Sequence, residues 1–233
     1  HNISGTIQLL NAATESGVRY VIFSSTAAVY GDPQYTPMDE EHPTKPSNFY
    51  GYTKLAIEEL LGWYAHLKGM RFASLRYFNA AGYDLDGKIK GLESEPNNLL
   101  PIVMEAVIGK RPFVEVFGTD YNTPDGSCIR DYIHVNDLAD GHVRALEYLT
   151  RETDNPILNL GTSNGMSVLE ILEHTKYLSH SNFDVRFGSR RLGDPAIVLA
   201  KADKAKSLLG WEAKRSDPKT LINSMLNVYR ATN

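Results

Sequence analysis

The first eighty residues alternate between helical and strand patterns of apolar positions. Residues 2–15 carry apolar side chains at helical spacing, and Gly17 follows where such a helix would end. Residues 20–24 form a short β-branched and aromatic run, which is typical of a buried strand. A second helix is predicted at about 49–67 and a second strand at 71–77. Alternating helices and strands with short connections predict an α/β fold with a parallel sheet.

The pattern changes at residues 80–96, which are rich in glycine and charge and show no periodicity, so we expect a domain boundary there. Beyond it, the apolar spacing predicts helices at 98–108, 136–149, 168–178, 201–209 and 218–229, and strands at 113–116, 129–133, 157–160 and 184–187. Asn136 or Asp137 is expected to cap the helix at 136–149.

Composition narrows the classes of protein that are possible. The chain has 233 residues, of which 42% are hydrophobic and 22% charged, as in an ordinary globular protein. A net charge of −4 gives no electrostatic reason to expect nucleic acid or a membrane as a partner. The single cysteine, Cys128, cannot form an internal disulfide or a cysteine metal cluster, which favours a reducing, cytoplasmic location. No apolar run approaches the roughly 20 residues that a membrane-spanning helix needs.

Candidate chemistry lies at the end of the first strand. Ser24, Ser25 and Thr26 follow its apolar residues, and ligands of open α/β sheets bind beyond the carboxyl ends of strands. Tyr50 and Lys54 are spaced to project from one face of the next helix. A free tyrosine has a pKa of about 10, so a tyrosine acting as a base near neutrality needs a neighbouring cation.

This tyrosine–lysine spacing is a weak signal by itself because the chain contains 13 tyrosines. Tyr64 and Lys68 repeat it on the same helix, about 21 Å further along at helical rise. We expect that second pair to be a solvated helix end. His134 and His142 invite a metal interpretation, but their spacing lacks the pattern of a metal site, so we expect structural roles for both and no metal.

Longer motifs add specificity. The strand-end hydroxyls followed by the tyrosine–lysine pair resemble the extended short-chain dehydrogenase/reductase superfamily. Within it, the UDP-glucose (UDP-galactose) 4-epimerase family is similar at residues 23–31 (FSSTAAVYG), 76–79 (RYFN), 96–99 (PNNL), 130–135 (RDYIHV), 137–142 (DLADGH) and 191–194 (RLGD). These motifs occur in the family's order and cover essentially the whole chain.

The resemblance implies the C-terminal half of a Rossmann-type doubly wound parallel sheet plus a smaller α/β substrate-binding domain. Residues 1–80 would be part of an NAD-binding domain and residues 81–233 a UDP-sugar-binding domain, with about 129–160 returning to the sheet domain. The family opens with a Gly-x-x-Gly-x-x-Gly turn that this sequence lacks, and comparison suggests that roughly the first hundred family positions are absent. We therefore expect the catalytic tyrosine and most of the sugar-nucleotide site here, but not the core of the dinucleotide site.

The resemblance also implies NAD-dependent C4 epimerisation of UDP-glucose and UDP-galactose through a transient 4-keto sugar. Tyr50 would be the base, Thr26 would relay the proton of the reacting hydroxyl, and Lys54 would support Tyr50 and hold the nicotinamide ribose. Ser24 and Phe78 would complete the cofactor contacts.

For the substrate, the family's diphosphate contacts match Arg130 and Arg191, whose guanidinium groups suit phosphate oxygens. The other matched contacts are Asn79, Asn98 and Leu99 for the sugar and phosphate, Val116 and Phe117 for uridine, and Asp194 for the ribose hydroxyls. Val198 occupies a position where a large tyrosine is associated with excluding N-acetylated sugars. Its small side chain predicts that UDP-N-acetylhexosamines are also accepted.

Alternatives remain at this stage: a UDP-N-acetylglucosamine 4-epimerase, a nucleotide-sugar 4,6-dehydratase, or an inactive NAD-sensing or scaffold protein. Dehydratases carry Asp and Glu just after the strand hydroxyls, where this chain has Ala27 and Ala28. Relatives dimerise through a four-helix packing, so we expect a homodimer, although the apolar positions of the second helix could equally cover the sheet. Those positions are Leu55, Ile57, Leu60 and Leu61.

Overall fold

The computed structural model of the protein describes residues 2–232. Its helices are α1 (Asn2–Glu15), α2 (Phe49–Lys68), α3 (Leu99–Val107), α4 (Val135–Arg151), α5 (Val168–Ser179), α6 (Asp203–Leu209) and α7 (Pro218–Ala231). Its strands are β1 (Tyr20–Thr26), β2 (Arg71–Tyr77), β3 (Asn79–Ala81), β4 (Phe113–Phe117), β5 (Ile129–Arg130), β6 (Tyr132–His134), β7 (Ile157–Leu160), β8 (Met166–Ser167), β9 (Asp184–Gly188) and β10 (Ile197–Val198). A short 3-10 helix at Ala27–Val29 follows β1 directly.

The chain folds into two compact units. Unit 1 comprises His1–Phe78, Ala139–Gly161 and Ala200–Glu212, and unit 2 comprises Asn79–Leu138, Thr162–Leu199 and Ala213–Asn233. The expected second domain included residues 200–212, which belong instead to unit 1. Residue 201 is joined to unit 1 by a hydrogen bond from the Lys201 N–H to the Met38 carbonyl at 2.7 Å. Residues 1 and 233, the ends of the two predicted domains, lie outside the described residues.

Unit 1 is built on three parallel strands in the order β1-β2-β7, which confirms the predicted parallel sheet. The register places Ser25 opposite Arg76 at the carboxyl ends of β1 and β2. Ile57 and Leu61 of α2 are buried against this sheet with Leu10 of α1. These two α2 positions therefore cover the sheet, which is one of the two roles that the sequence left open for them.

Unit 2 has shorter strands. β10-β5-β8 form one sheet, and β3-β6 and β4-β9 form two parallel pairs. The predicted strand at 129–133 is interrupted at Asp131, whose buried carboxylate accepts hydrogen bonds from Thr162 and Ser163. Apolar side chains of α3, α5 and α7 form the core beside these strands.

Helix α4 begins one residue earlier than predicted, at Val135, so neither Asn136 nor Asp137 is its cap. The Asn136 N–H instead donates to His134 Nδ1 at 3.1 Å. The Asp137 carboxylate accepts hydrogen bonds from Arg215 and Ser216. None of the helices within residues 2–232 has the length and apolar character needed to cross a membrane.

Candidate active site

The carboxyl end of β1 and the first turns of α2 form the first group of candidate residues. The Asn48 side chain caps α2 by accepting a hydrogen bond from the Gly51 N–H at 2.9 Å. A Cβ added at Gly51 would lie 2.3 Å from the Ala28 carbonyl oxygen, so the helix approaches the turn after β1 more closely than a larger residue allows. This approach brings the first turn of α2, which carries Tyr50, against the segment that follows Thr26.

Thr26 ends β1 and caps the short 3-10 helix. Its Oγ1 accepts a hydrogen bond from the Ala28 N–H at 3.2 Å. A threonine hydroxyl has one hydrogen and two lone pairs, so this local bond leaves the hydrogen available to a ligand. Both the local role and a role toward a substrate are therefore compatible with its position.

Lys54 lies between β1 and Tyr50. Its Nζ donates to the Ser24 carbonyl oxygen at 2.9 Å and lies 5.7 Å from the centre of the Tyr50 ring. The Phe23 ring is also close, at 5.0 Å. Burial lowers the pKa of the Lys54 ammonium. The Tyr50 side chain remains half-exposed, so the structure brings together Ser24, Lys54 and a tyrosine that a ligand can reach.

Tyr64 and Lys68, the second pair with this spacing on α2, have different surroundings from Tyr50 and Lys54. Tyr64 donates its hydroxyl hydrogen to Asn11 Oδ1 at 2.5 Å, which ties α2 to α1. Lys68 is exposed in the last turn of the helix. The tyrosine is therefore a structural contact between helices, while the lysine is the solvated helix end that we expected.

Two contacts in unit 1 were not foreseen from the sequence. His142 Nε2 lies 3.0 Å from Ser24 Oγ, in hydrogen-bond contact with a predicted cofactor-binding residue. Glu58 accepts hydrogen bonds from Ser25 Oγ at 2.6 Å and from the Arg76 guanidinium. Nothing in the sequence signals the first contact, because its residues are 118 positions apart. The second joins residues 33 and 18 positions apart, so no local pattern signals it either.

A second group of candidate residues lies in unit 2, on β5 and the segment after β9. The Arg130 guanidinium forms an ion pair with the Asp194 carboxylate, and both side chains are largely buried. Arg130 also donates to the carbonyl oxygen of Ile129 at 2.8 Å. Val198 pairs with Arg130 across β5 and β10 and is partly buried. The predicted diphosphate and ribose contacts are thus adjacent.

Arg191 and Phe117 are also neighbours. The Arg191 guanidinium lies 4.0 Å from the centre of the Phe117 ring, within the range of a cation–π contact. Arg191 is exposed, so its charge can reach a phosphate. Arg186 stacks on Phe113 of the same strand in a comparable way, at 3.8 Å.

Val116 requires a correction. We expected its side chain to pack along uridine, but that side chain is buried in the core of unit 2. Because successive side chains of a strand point to opposite faces, Val114 and Val116 face the core while Glu115 is exposed. Val116 can therefore offer a ligand only its main chain.

The remaining predicted residues lie at the starts or ends of elements. Phe78 is partly buried and directly follows β2. Asn79 opens β3 and donates its main-chain N–H to the Asp131 carbonyl at 3.0 Å. Asn98 occupies the N-cap position of α3 without a side-chain capping hydrogen bond, and Leu99 begins that helix against the core.

Cys128 and His134 are buried in unit 2. Cys128 Sγ lies 3.9 Å from Asp194 Oδ2. Burial lowers the pKa of His134, whose Nε2 lies 3.3 Å from Ser224 Oγ. Among the described residues, no group of three or more His, Cys, Asp or Glu side chains is arranged to hold a metal ion.

Comparison with known proteins identifies the family of this chain. Residues 1–161 match the NAD dependent epimerase/dehydratase family. UDP-glucose 4-epimerase of Halalkalibacterium halodurans is 43% identical over 230 residues, which are 99% of this chain and 69% of the relative. The chain spans about two thirds of the length of such curated relatives.

Two solved structures are similar over nearly the whole chain. The crystal structure of UDP-glucose 4-epimerase from Brucella ovis in complex with NAD matches with a TM-score of 0.95 and 41% sequence identity. The matched region is 98% of this chain and 70% of the Brucella ovis chain. The structure of the UDP-Glc/GlcNAc 4-epimerase from Campylobacter jejuni matches with a TM-score of 0.84 and 36% sequence identity. The matched region is 99% of this chain and 70% of the Campylobacter jejuni chain.

Proposed function

This chain belongs to the UDP-glucose 4-epimerases of the NAD dependent epimerase/dehydratase family, and we propose that the protein it comes from interconverts UDP-glucose and UDP-galactose. NAD is the cofactor of this family. We assign the chemistry to unit 1, as the predicted partial NAD-binding domain, and UDP-sugar binding to unit 2. The single observation that carries the proposal is the set of contacts joining Ser24, Lys54 and the ring of Tyr50.

The residues of unit 1 fit the nicotinamide end of NAD. The Lys54 ammonium is partly buried and donates to a neutral carbonyl oxygen, so it has further hydrogens for ribose hydroxyls. Ser24 and Phe78 are the other proposed contacts at this end. The 233-residue sequence contains no Gly-x-x-Gly-x-x-Gly motif for the pyrophosphate, so we assign no residue to that part of the cofactor.

In the proposed reaction, Ser24, Lys54 and Phe78 would hold the nicotinamide end of NAD, which would supply a reversible hydride acceptor for C4 of the sugar. Tyr50 removes the proton of the 4-hydroxyl group, with Thr26 relaying it, and gives the proton back once C4 has been inverted. The Lys54 ammonium lies 5.7 Å from the centre of the Tyr50 ring, so its positive charge is close to the phenol during proton transfer. The sugar passes through a 4-keto form between the two transfers.

In unit 2, we propose that Arg130 and Arg191 bind the diphosphate. Asp194 binds the uridine ribose, Phe117 and the main chain of Val116 bind the base, and Asn79, Asn98 and Leu99 contact the sugar and phosphate. Guanidinium groups are well suited to phosphate oxygens. The ion pair between Arg130 and Asp194 places the proposed diphosphate and ribose contacts side by side.

The test is an isomerisation assay on the complete gene product with UDP-galactose. The proposal predicts UDP-glucose formation without net accumulation of NADH. Accumulating NADH would indicate a dehydrogenase, a 4-keto-6-deoxy product would indicate a dehydratase, and no reaction with retained NAD would indicate a sensing or scaffold protein. Each of those three results contradicts the proposal.

We further propose that UDP-N-acetylhexosamines are accepted, because Val198 is small. The similar Campylobacter jejuni protein is a UDP-Glc/GlcNAc 4-epimerase. Turnover of UDP-N-acetylglucosamine should be lost in Val198→Tyr while UDP-galactose turnover remains. Equal loss of both activities, or no turnover of the N-acetylated sugar by the wild type, would refute this specificity.

A homodimer is also proposed. Large apolar side chains are exposed on α1 and α2, namely Leu9, Tyr52, Trp63 and Leu67. Exposed apolar patches of this kind are typical of interfaces. Sedimentation of the complete gene product should give a dimer that Trp63→Asp weakens, and a monomer in the wild type would contradict the proposal. A cytoplasmic location stays a prediction from the single cysteine.

A further inference from the structure

A buried ion pair lies beneath the candidate catalytic residues of unit 1. Glu58 of α2 and Arg76 of β2 are each about 4% exposed. Arg76 Nε donates to Glu58 Oε1 at 3.0 Å, and Arg76 Nη2 donates to Glu58 Oε2 at 2.6 Å. Ser25 of β1, which is 1% exposed, donates its hydroxyl hydrogen to the same carboxylate at 2.6 Å. One carboxylate therefore joins a helix to two strands.

Stability alone is a poor explanation for this arrangement. Removing two charges from water is costly, and replacing a buried ion pair by apolar residues of similar volume is often neutral or stabilising. Burial opposes the charged form of Arg76, but the hydrogen bonds and charge of Glu58 outweigh it and raise the pKa of Arg76. What the pair provides, and apolar residues would not, is three directional hydrogen bonds at one point.

Glu58 and Ser25 are close in the chain to the candidate catalytic residues. Glu58 lies one helical turn beyond Lys54 and two turns beyond Tyr50, on the same side of α2. Ser25 lies between Ser24, whose carbonyl accepts the Lys54 hydrogen bond, and Thr26. The carboxylate thus fixes the position of α2 along its own axis, and its rotation about that axis, relative to the end of β1.

Arg76 is itself held from its other side. Its guanidinium carbon lies 4.9 Å from the centre of the Tyr30 ring. The Tyr30 hydroxyl donates to Asn159 Oδ1 of β7 at 2.6 Å. Because Tyr30 and Asn159 are also buried, the guanidinium has little freedom to follow a moving helix.

We propose that Glu58 is a positioning residue, which acts with Arg76 and Ser25 to hold Tyr50 and Lys54 of α2 at the working distance from Thr26 and Ser24. The inference rests on the proposed function for its kinetic consequence, although the positional claim can be measured without it. Misplacement of reacting groups by about 1 Å can reduce a rate by about 100-fold, so a small shift of α2 is enough.

The main variant replaces the pair by apolar residues, Glu58→Leu with Arg76→Met, in the complete gene product. Arg71→Met is the matched control, because Arg71 lies on the same strand at its other end and donates to the carbonyl oxygens of Leu149 and Asp154. The double variant should fold with a urea midpoint close to that of wild type, because removing two buried charges is offset by the buried Ser25 hydroxyl that loses its acceptor. Its kcat for UDP-galactose should fall about 10-fold to 100-fold, with KM within about threefold of wild type.

Arg71→Met should leave kcat unchanged even where it lowers the urea midpoint. A folded double variant that keeps the wild-type kcat would overturn the proposal. A change in the KM of the double variant as large as its change in kcat would also overturn the proposal, because the substitutions would then act on substrate binding. Should the double variant fail to fold, Ser25→Ala removes only the hydroxyl that joins Glu58 to β1. We expect its kcat to fall about threefold to tenfold, and an unchanged kcat in that variant would also overturn the proposal.

Amide hydrogen exchange gives a readout that does not need activity. In the double variant, or in Ser25→Ala where the double variant does not fold, the amides of residues 53–58 should exchange at least about tenfold faster than in wild type. Arg71→Met should leave them protected. Unchanged exchange would refute the positioning role. Absence of epimerase activity in the wild type with the expected exchange pattern would refute only the proposed function.

Discussion

The two groups of candidate residues are held in different ways. In unit 1 they lie at the end of a seven-residue strand and the start of a 20-residue helix. In unit 2 they lie on two-residue strands and on the segment after β9. Chemistry requires reacting groups to be fixed more tightly than binding does, and sites on long elements are more precise than sites on loops. The comparison therefore favours catalysis in unit 1 and nucleotide binding in unit 2.

Their charges differ as well. Lys54 of unit 1 donates to a neutral main-chain oxygen, whereas Arg130 of unit 2 is paired with the carboxylate of Asp194. A carbonyl partner orients the Lys54 ammonium without neutralising it, so its charge remains available to Tyr50. The Asp194 carboxylate partly neutralises Arg130. We expect substitution of Lys54 to change kcat and substitution of Arg130 to change the affinity for UDP.

Of the substitutions that remove one of these charges, Lys54→Met is expected to have the largest effect. Losing the cation beside Tyr50 should reduce kcat about 100-fold, the scale of a lost acid–base function, with little change in the Kd for UDP. Lys68→Met is the control, because Lys68 is exposed at the far end of the same helix. Steady-state kinetics together with UDP calorimetry would separate the two quantities. A large loss of UDP affinity in Lys54→Met would contradict the assignment of catalysis to unit 1 and nucleotide binding to unit 2.

Arg130→Met should act on binding. Hydrogen bonds to charged groups contribute about 1.5–3 kcal/mol, so UDP should bind about tenfold to 100-fold more weakly. Asp194 keeps some exposure and can be hydrated when its partner is removed, so the variant should remain folded. Calorimetric titration with UDP measures this directly. A Kd within about twofold of wild type would exclude the assigned phosphate contact.

Arg191→Met should have a smaller effect on UDP affinity, about threefold to tenfold, because exposed charges are screened by water. Arg186→Met is a close control, since both arginines stack on a phenylalanine of β4. If both substitutions weaken UDP binding equally, the effect is a general loss of positive charge and the specific assignment to Arg191 is wrong.

The smallest effect concerns stability below neutral pH. Burial lowers the pKa of His134 from its ordinary value of 6.5, so the unfolded chain takes up a proton before the folded one does. Stability should therefore fall as the pH drops below about 6.5, by at most about 1.4 kcal/mol per pH unit from this group. Urea unfolding of wild type and His134→Asn across this range should show a shallower slope in the variant. Parallel slopes would contradict a neutral buried histidine.

Much of unit 1 could be predicted because its signals are local. The spacing of apolar residues predicted α1, α2 and β2 closely, and the four-residue spacing of Tyr50 and Lys54 predicted their common helix face. The contacts of Ser24 with His142 and of Tyr30 with Asn159 join distant parts of the chain, and no local pattern reveals them.

Unit 2 was less predictable where its strands have only two or three residues and where side chains interrupt the backbone pairing. The break at Asp131 depends on Thr162 and Ser163, which are more than 30 positions away. The inward direction of Val116 was within reach of the sequence, since its alternation with the exposed Glu115 predicts which face each side chain occupies.

The central claim is that the phenol of residue 50 performs the proton transfer while other residues provide nucleotide affinity. The most direct test is Tyr50→Phe in the complete gene product, with interconversion of the UDP-hexoses and UDP binding measured on the same preparation. We predict a loss of turnover of about 1000-fold with a wild-type Kd for UDP. Turnover within about tenfold of wild type, in a folded Tyr50→Phe protein, would contradict the account.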